Sequence, residues 1–325
     1  HACALVFVND GRLTSLHELM VTYAYTIAGS EATGGAGFQV DLKTFHELGT
    51  YGLGTLSCIV AFDPKDNWNH RFTPIPPHVI EQQMEAAMGH ADLDTVKLGM
   101  LGTPETIDVV AKGLKKQAWK NIVLDPVLIC KGQDPGQALD TDNALREKIL
   151  PLATVATPNY FEAVTLSGMD TLETLEDLAE AAQRISELGP KYVVVKGGMD
   201  FPGDDAVDVL WDGEQATAFT VPKIGTTRVS GAGCTLAAAI AAELAKGSGI
   251  HKAVRIAKDL VTQGIDAQVK ANTPFNTVWQ GAFEPMEDYT FPAEVDYSDA
   301  EPEDGECGGP GEGGCGPDGC NCGKQ

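Results

Sequence analysis

From residue 21 onward, short apolar runs alternate with segments whose apolar positions recur every three or four residues. The stretch VTYAYTIAGS reads as a strand ending in a small-residue turn, and GFQVDLKTFHELG as a helix stopped by Gly49. GLGTLSCIVAF is a second strand, and PPHVIEQQMEAAMGH a helix with proline near its start. TVKLGML and NIVLDPVLI are β-branched apolar runs of the kind buried on both faces of a sheet. DNALREKILPLA and TLEDLAEAAQRISELG read as helices, the second bounded by a capping threonine and a glycine. KYVVVKGG, DAVDVLWDG and ATAFTVPKI follow as strands, and helices at about 232–246 and 250–270 close the ordered pattern. Alternating strands and helices predict an α/β fold, a mostly parallel sheet covered on both faces. Ligands of such sheets bind beyond the carboxyl ends of the strands. AGS, DPVLICKG, TPNYFEA and VKGG all stand at such positions.

The 325 residues are 43% hydrophobic, ample for a large core, and no run approaches the roughly 18 apolar residues of a membrane span. A net charge of −23 argues against nucleic acid or an anionic membrane as partner, since both reward clustered Lys and Arg. The N-terminal HACALVFVNDGR lacks the basic lead-in of a signal peptide, and the composition suits a cytoplasmic protein. Cys3, Cys58, Cys130 and Cys234 are scattered as free thiols of a reducing compartment are. Beyond residue 283 the chain turns acidic and glycine-rich, too polar for a core, and crowds Cys307, Cys315, Cys320 and Cys322 into its last twenty residues. Four thiols are soft ligands for Zn²⁺ or Cu(I), although their spacing matches no zinc ribbon. The expected organisation is an extension at 1–20, one domain at 21–283 and a tail at 284–325.

Chemistry concentrates at SGAGC, residues 230–234. Gly231, Ala232 and Gly233 before a helix let backbone N–H groups converge at its positive end, where they can hold an anion. There is no Gly-Lys-Ser/Thr, so this is not a P-loop. Cys234 would feel the helix terminus, which is expected to lower its pKa toward a thiolate able to act as general base. The alternative is a tight turn with a packed thiol.

TIAGSEATGGAGFQVDLKTFHELGTYG at 26–52 resembles the N-terminal signature of the hydroxymethylpyrimidine and pyridoxal kinase group of the ribokinase-like family. VKLGMLG, VLDPVLICKG, ATPNYFEA, VVVKGG and SGAGCTLAAAI resemble that group's further blocks, in order. The resemblance implies a ribokinase-like three-layer sandwich and Mg²⁺-dependent transfer of the ATP γ-phosphoryl to a hydroxymethyl on a nitrogen heterocycle. It implies that Gly231, Ala232 and Gly233 form the anion hole and that Cys234 stands where sugar kinases carry an aspartate base. Asp41 would hydrogen-bond the ring, and Gly29 would lie in the loop lining its pocket. Asp125 and Glu162, both expected at strand ends, would sit near Mg²⁺, with Asn159, Lys196, Gly197 and Gly198 near the nucleotide phosphates. It also implies a homodimer.

FDPKDNWNHRFTPIP resembles the flap of the pyridoxal-phosphorylating subgroup, with Trp68 and His70, and CKGQD resembles its lid. There Cys130 would add reversibly to the substrate aldehyde. The expected activity is therefore phosphorylation of pyridoxal and related B6 vitamers, in salvage. A hydroxymethylpyrimidine or phosphomethylpyrimidine kinase of thiamin synthesis is the alternative, because Ser230 stands where histidine is common. A vitamer- or metal-binding protein that has lost catalysis is an alternative of another class; intact Asp41, Asp125, Glu162 and Cys234 count against it.

Overall fold

The computed structural model describes residues 21–128 and 135–286, the side chains of 135–138 excepted. Its strands are β1 (Tyr23–Glu31), β2 (Tyr51–Asp63), β3 (Asn69–Pro74), β4 (Thr95–Leu98), β5 (Asn121–Leu124), β6 (Val155–Ala156), β7 (Tyr192–Lys196), β8 (Asp205–Trp211) and β9 (Ala216–Pro222). The helices are α1 (Gly37–Glu47), α2 (Pro77–His90), α3 (Pro104–Leu114), α4 (Pro135–Lys148), α5 (Tyr160–Ser167), α6 (Leu175–Ser186), α7 (Ala232–Ala245) and α8 (Ile250–Asp266).

All nine strands form one sheet in the order β3-β2-β1-β4-β5-β6-β7-β8-β9. The strands from β2 to β7 in that order pair in parallel, while β3, β8 and β9 join antiparallel at the two edges. Successive strand residues point to opposite faces, so each strand feeds two cores. Ile122, Leu124, Val193 and Val195 pack with α2–α6, whereas Val123 and Val194 pack with α1, α7 and α8. This is the expected sandwich of helices, mostly parallel sheet and helices. Among the described residues no helix is long and apolar enough to cross a membrane.

Several elements differ from the pattern-based expectation. β4 and β5 stop at Leu98 and Leu124, sooner than their apolar runs. The Asp125 N–H still bonds the Leu98 carbonyl, but Pro126 has no N–H with which to continue. α3 and α5 were not anticipated, because their apolar positions blend into neighbouring strands. Their signals are caps: Thr103 accepts from Thr106 N ahead of Pro104, and Asn159 with Glu162 forms a reciprocal capping box. Glu284, assigned to the tail by composition, exchanges backbone hydrogen bonds with the Gln263 side chain of α8. The expected N-terminal extension, the cysteine-rich tail and Cys130 all lie outside the described residues.

α7 is buried without interruption from Thr235 to Leu244, pressed between the sheet, α1 and α8. Alanine permits that close approach. Ala239→Leu is therefore expected to destabilise the protein by about 1–3 kcal/mol through overpacking, read as a lower urea midpoint at unchanged slope.

Candidate active site

At the carboxyl ends of the central strands lies a cavity of about 660 Å³. Its wall brings together Asp125, Asn159, Glu162, Lys196–Gly198 and Gly231–Cys234. Ten residues expected to serve catalysis, nucleotide or metal, spread over 110 positions of sequence, thus share one wall.

Each is placed by its element. Asp125 is the first residue beyond β5, and Lys196 ends β7, two parallel strands separated only by β6. Lys196 Nζ donates to Asp125 Oδ1 at 2.7 Å, and the Thr157 hydroxyl donates to the same oxygen at 3.3 Å. Burial alone would raise Asp125, but the ammonium groups of Lys196 and Lys97 bring it below the usual carboxylate range. Burial opposes the Lys196 charge as well, and Asp125 and Glu162 more than restore it.

Glu162 sits at the third position of α5, not at a strand end. Its Oε2 accepts the Asn159 N–H at 2.8 Å while Asn159 Oδ1 accepts the Glu162 N–H at 3.0 Å. Burial, only partly offset by Lys196, pushes its carboxyl up to about 7. Asp125 and Glu162 are hard oxygen donors on one wall, a set suited to Mg²⁺, which takes one or two carboxylates and fills its shell with phosphate and water. Among the described residues no group of three or more His, Cys, Asp or Glu side chains is placed to hold a metal ion, at this wall or elsewhere.

The turn before α7 is shaped by close backbone approach. Gly231 has φ +86°, and a Cβ there would lie 2.3 Å from the Gly35 carbonyl oxygen. Only glycine satisfies both constraints. Ser230 is fixed on either side by Ser230 N to Asn276 O and Val278 N to Ser230 O, and its hydroxyl reaches Gly35 O at 3.4 Å. Ser230 is thus tied into this turn chiefly through its backbone, with its hydroxyl adding a longer contact to Gly35.

Cys234 opens toward the cavity from the first turn of α7, and the Gly37 N–H at the start of α1 donates toward its sulfur. The expectation that the helix end lowers this thiol's pKa does not hold. Burial raises it, Asp125 and Asp41 add to the rise, and Lys97 with the Gly37 N–H opposes them.

The ring-side expectations fare differently. Gly29 lies within β1, at a break in register between Ala28 and Ser30 rather than in a loop, and packs against Cys58. Asp41 has no exposed surface: both its oxygens accept from Lys97 Nζ at 2.9 Å, and Oδ2 also accepts from Thr26 at 2.6 Å. Facing inward and spent on these donors, it offers nothing to a ring, which corrects its assignment as a ring-binding residue. His70 stands on β3, its ring 4.4 Å from that of Phe62 on β2, away from the cavity wall. The expected flap is the β2–β3 hairpin, reversed at Asn67 and Trp68, both with positive φ.

Lys97 is the main residue that pattern reading missed. A lysine inside an otherwise apolar strand is costly unless paired, and that anomaly was the available signal. Burial works against its charge, and Asp41, Cys234 and Asp125 hold its pKa above the ordinary lysine value. Glu31, whose carboxylate organises the 32–36 loop, was missed for want of any sequence pattern.

Comparison with known proteins identifies the family. Residues 31–279 match the family model described as phosphomethylpyrimidine kinase. Pyridoxine kinase of Bacillus subtilis (strain 168) is 46% identical over 253 residues, 78% of this chain and 92% of that protein. Hydroxymethylpyrimidine/phosphomethylpyrimidine kinase of the same organism is 36% identical over 246 residues, 75% of this chain and 89% of that one. The structure of the pyridoxal kinase from Staphylococcus aureus in complex with AMP-PCP and pyridoxal superposes with a TM-score of 0.74 at 39% identity, covering 81% of this chain and 94% of the other. The chain belongs to the phosphomethylpyrimidine kinase family.

Proposed function

We propose that the protein transfers the γ-phosphoryl group of ATP to the 5′-hydroxymethyl of pyridoxal and related B6 vitamers. The observation that carries this reading is the shared wall of the cavity: the Gly231–Gly233 turn, Cys234, the Asp125–Lys196 pair and Glu162. Phosphoryl transfer asks a protein for positioning and charge neutralisation rather than covalent chemistry, and these residues supply both. The N–H groups of the turn, at the positive end of α7, would steady the transferring phosphoryl. Lys196, Gly197 and Gly198 would line the phosphate path. Asp125 and Glu162 would hold Mg²⁺, which supplies neutralising charge on the phosphates. Cys234, as thiolate, would take the proton of the attacking hydroxyl as its oxygen bonds phosphorus and ADP leaves.

A second reading, a hydroxymethylpyrimidine or phosphomethylpyrimidine kinase, draws support from Ser230 and from the 36% identical relative. Side-by-side turnover of pyridoxal and hydroxymethylpyrimidine with ATP decides between them. Preference for the B6 ring is expected, and a strong preference for the pyrimidine reverses the choice.

Cys234→Ala is expected to lower kcat by about 10²–10⁴ with little change in KM for ATP. Because the native thiol is held above its ordinary range, kcat of the unsubstituted enzyme should climb through neutral pH. That slope should vanish in the variant. Glu162, pushed up to about 7, must lose its proton to bind metal. Apparent Mg²⁺ affinity, titrated in the presence of ADP, should fall by up to about tenfold per pH unit below 7, and Glu162→Gln should flatten that dependence.

A further inference from the structure

We infer that Glu31 is a positioning residue for phosphoryl transfer, holding the Gly231–Gly233 turn in register through the 32–36 loop. The inference rests on the kinase reading of that turn. Glu31 ends β1 and is nearly fully buried. Its carboxylate gathers three donors from the loop that follows: Thr33 N at 2.6 Å, Thr33 Oγ1 at 2.5 Å and Gly35 N at 3.1 Å. Its carbonyl accepts the Gly34 N–H at 3.0 Å, and its own N–H donates to Gln39 Oε1 on α1. The loop is thereby wound around one side chain. Hydrogen bonds to a carboxylate are shorter and stronger than neutral ones, so this side chain is the main tie of the loop.

What the loop presents to the turn is Gly35. Its carbonyl oxygen fills the space where a Gly231 side chain would begin, and it accepts the Ser230 hydroxyl. On its other side Gly35 is pressed by Thr277, whose Cγ2 would lie 2.4 Å from a Cβ at that position. Thr277 in turn bridges to Ser230. Gly35 is thus gripped between the strap that holds Ser230 and the carboxylate that holds its own N–H. A shift of Gly35 moves the floor on which Gly231 rests. Gly231 sits directly against the Gly35 carbonyl, with no side chain between them, so a displacement of that oxygen is passed straight to the backbone of the turn. Donors aimed at a transferring phosphoryl lose their value quickly when misplaced, by as much as a hundredfold for about 1 Å. Glu31 does not line the cavity, yet it bears on the position of the turn that does.

The test separates this role from stability alone. In Glu31→Gln one acceptor oxygen becomes a donor opposed to the loop N–H groups, and Glu31→Ala removes both acceptors. Thr277→Ser, which deletes only the methyl group seated on Gly35, probes the same link from the other side and keeps the test open if Glu31→Ala does not fold. For each, Kd is measured for ADP with Mg²⁺ and for ADP with Mg²⁺ and aluminium fluoride, which mimics the phosphoryl in flight. The expected result is an ADP affinity within about twofold of the unsubstituted protein and a loss of about tenfold to a hundredfold for the mimic. kcat should fall in parallel, and KM for ATP should hold. A variant that is less stable but keeps the native ratio of the two Kd values overturns the inference and leaves the kinase reading standing. Failure of the unsubstituted protein to bind the mimic more tightly than ADP removes the kinase reading, and the inference with it.

Discussion

An ammonium group with no access to solvent lies at the centre of this protein. Lys97 Nζ grips both oxygens of Asp41 at 2.9 Å, joining the middle of the sheet to the first turns of α1. Neither charge is tolerable alone, since removing one partner of a buried pair leaves an uncompensated ion worth several kcal/mol. The pair therefore fixes where α1 begins, and α1 fixes Gly37, whose N–H points at the Cys234 sulfur. A contact that touches no substrate sets the place of the residue assigned to move the proton.

From that pair a series of alternating charges runs from Asp41 on α1 and Lys97 on β4 to Asp125 beyond β5, Lys196 at the end of β7 and Glu162 on α5. Strand order brings Lys97, Asp125 and Lys196 together, since β4, β5, β6 and β7 are successive neighbours in the sheet. Each ion lowers the cost of burying the next, so Asp125 stays ionised although burial opposes it. Glu162, at the end of the series and beside like-charged Asp125, is the member pushed up to about 7. An anionic nucleotide with its cation fits a wall that is itself nearly balanced in charge. Burial first, and then the same ions with both signs, bear on Cys234 and raise its pKa despite its helix-end position.

Much of the fold was legible in the chain because its signals are local. Short apolar, β-branched runs became strands, and Gly49 and Gly189 followed helices. The turn at Gly231–Gly233 and the residues sharing its cavity were legible as motifs. Less legible were elements announced only by caps, such as α3 and α5, and strands cut short by Pro126. The family resemblance makes Asp41 a ring contact. Its inward direction depends on Lys97, which arrives from another strand 56 positions away.

The sequence by itself determined the class of fold, the family and the set of chemical groups, since periodicity, caps and motif spacing are properties of neighbouring residues. Tertiary structure alone decided which groups face the cavity and which face one another, and how each is charged. Those outcomes depend on burial and on partners brought from distant strands. Ser230 shows the division: the sequence shows a serine where histidine is common, and only the packing of Gly35 and the 276–278 strap shows that it serves as a tie.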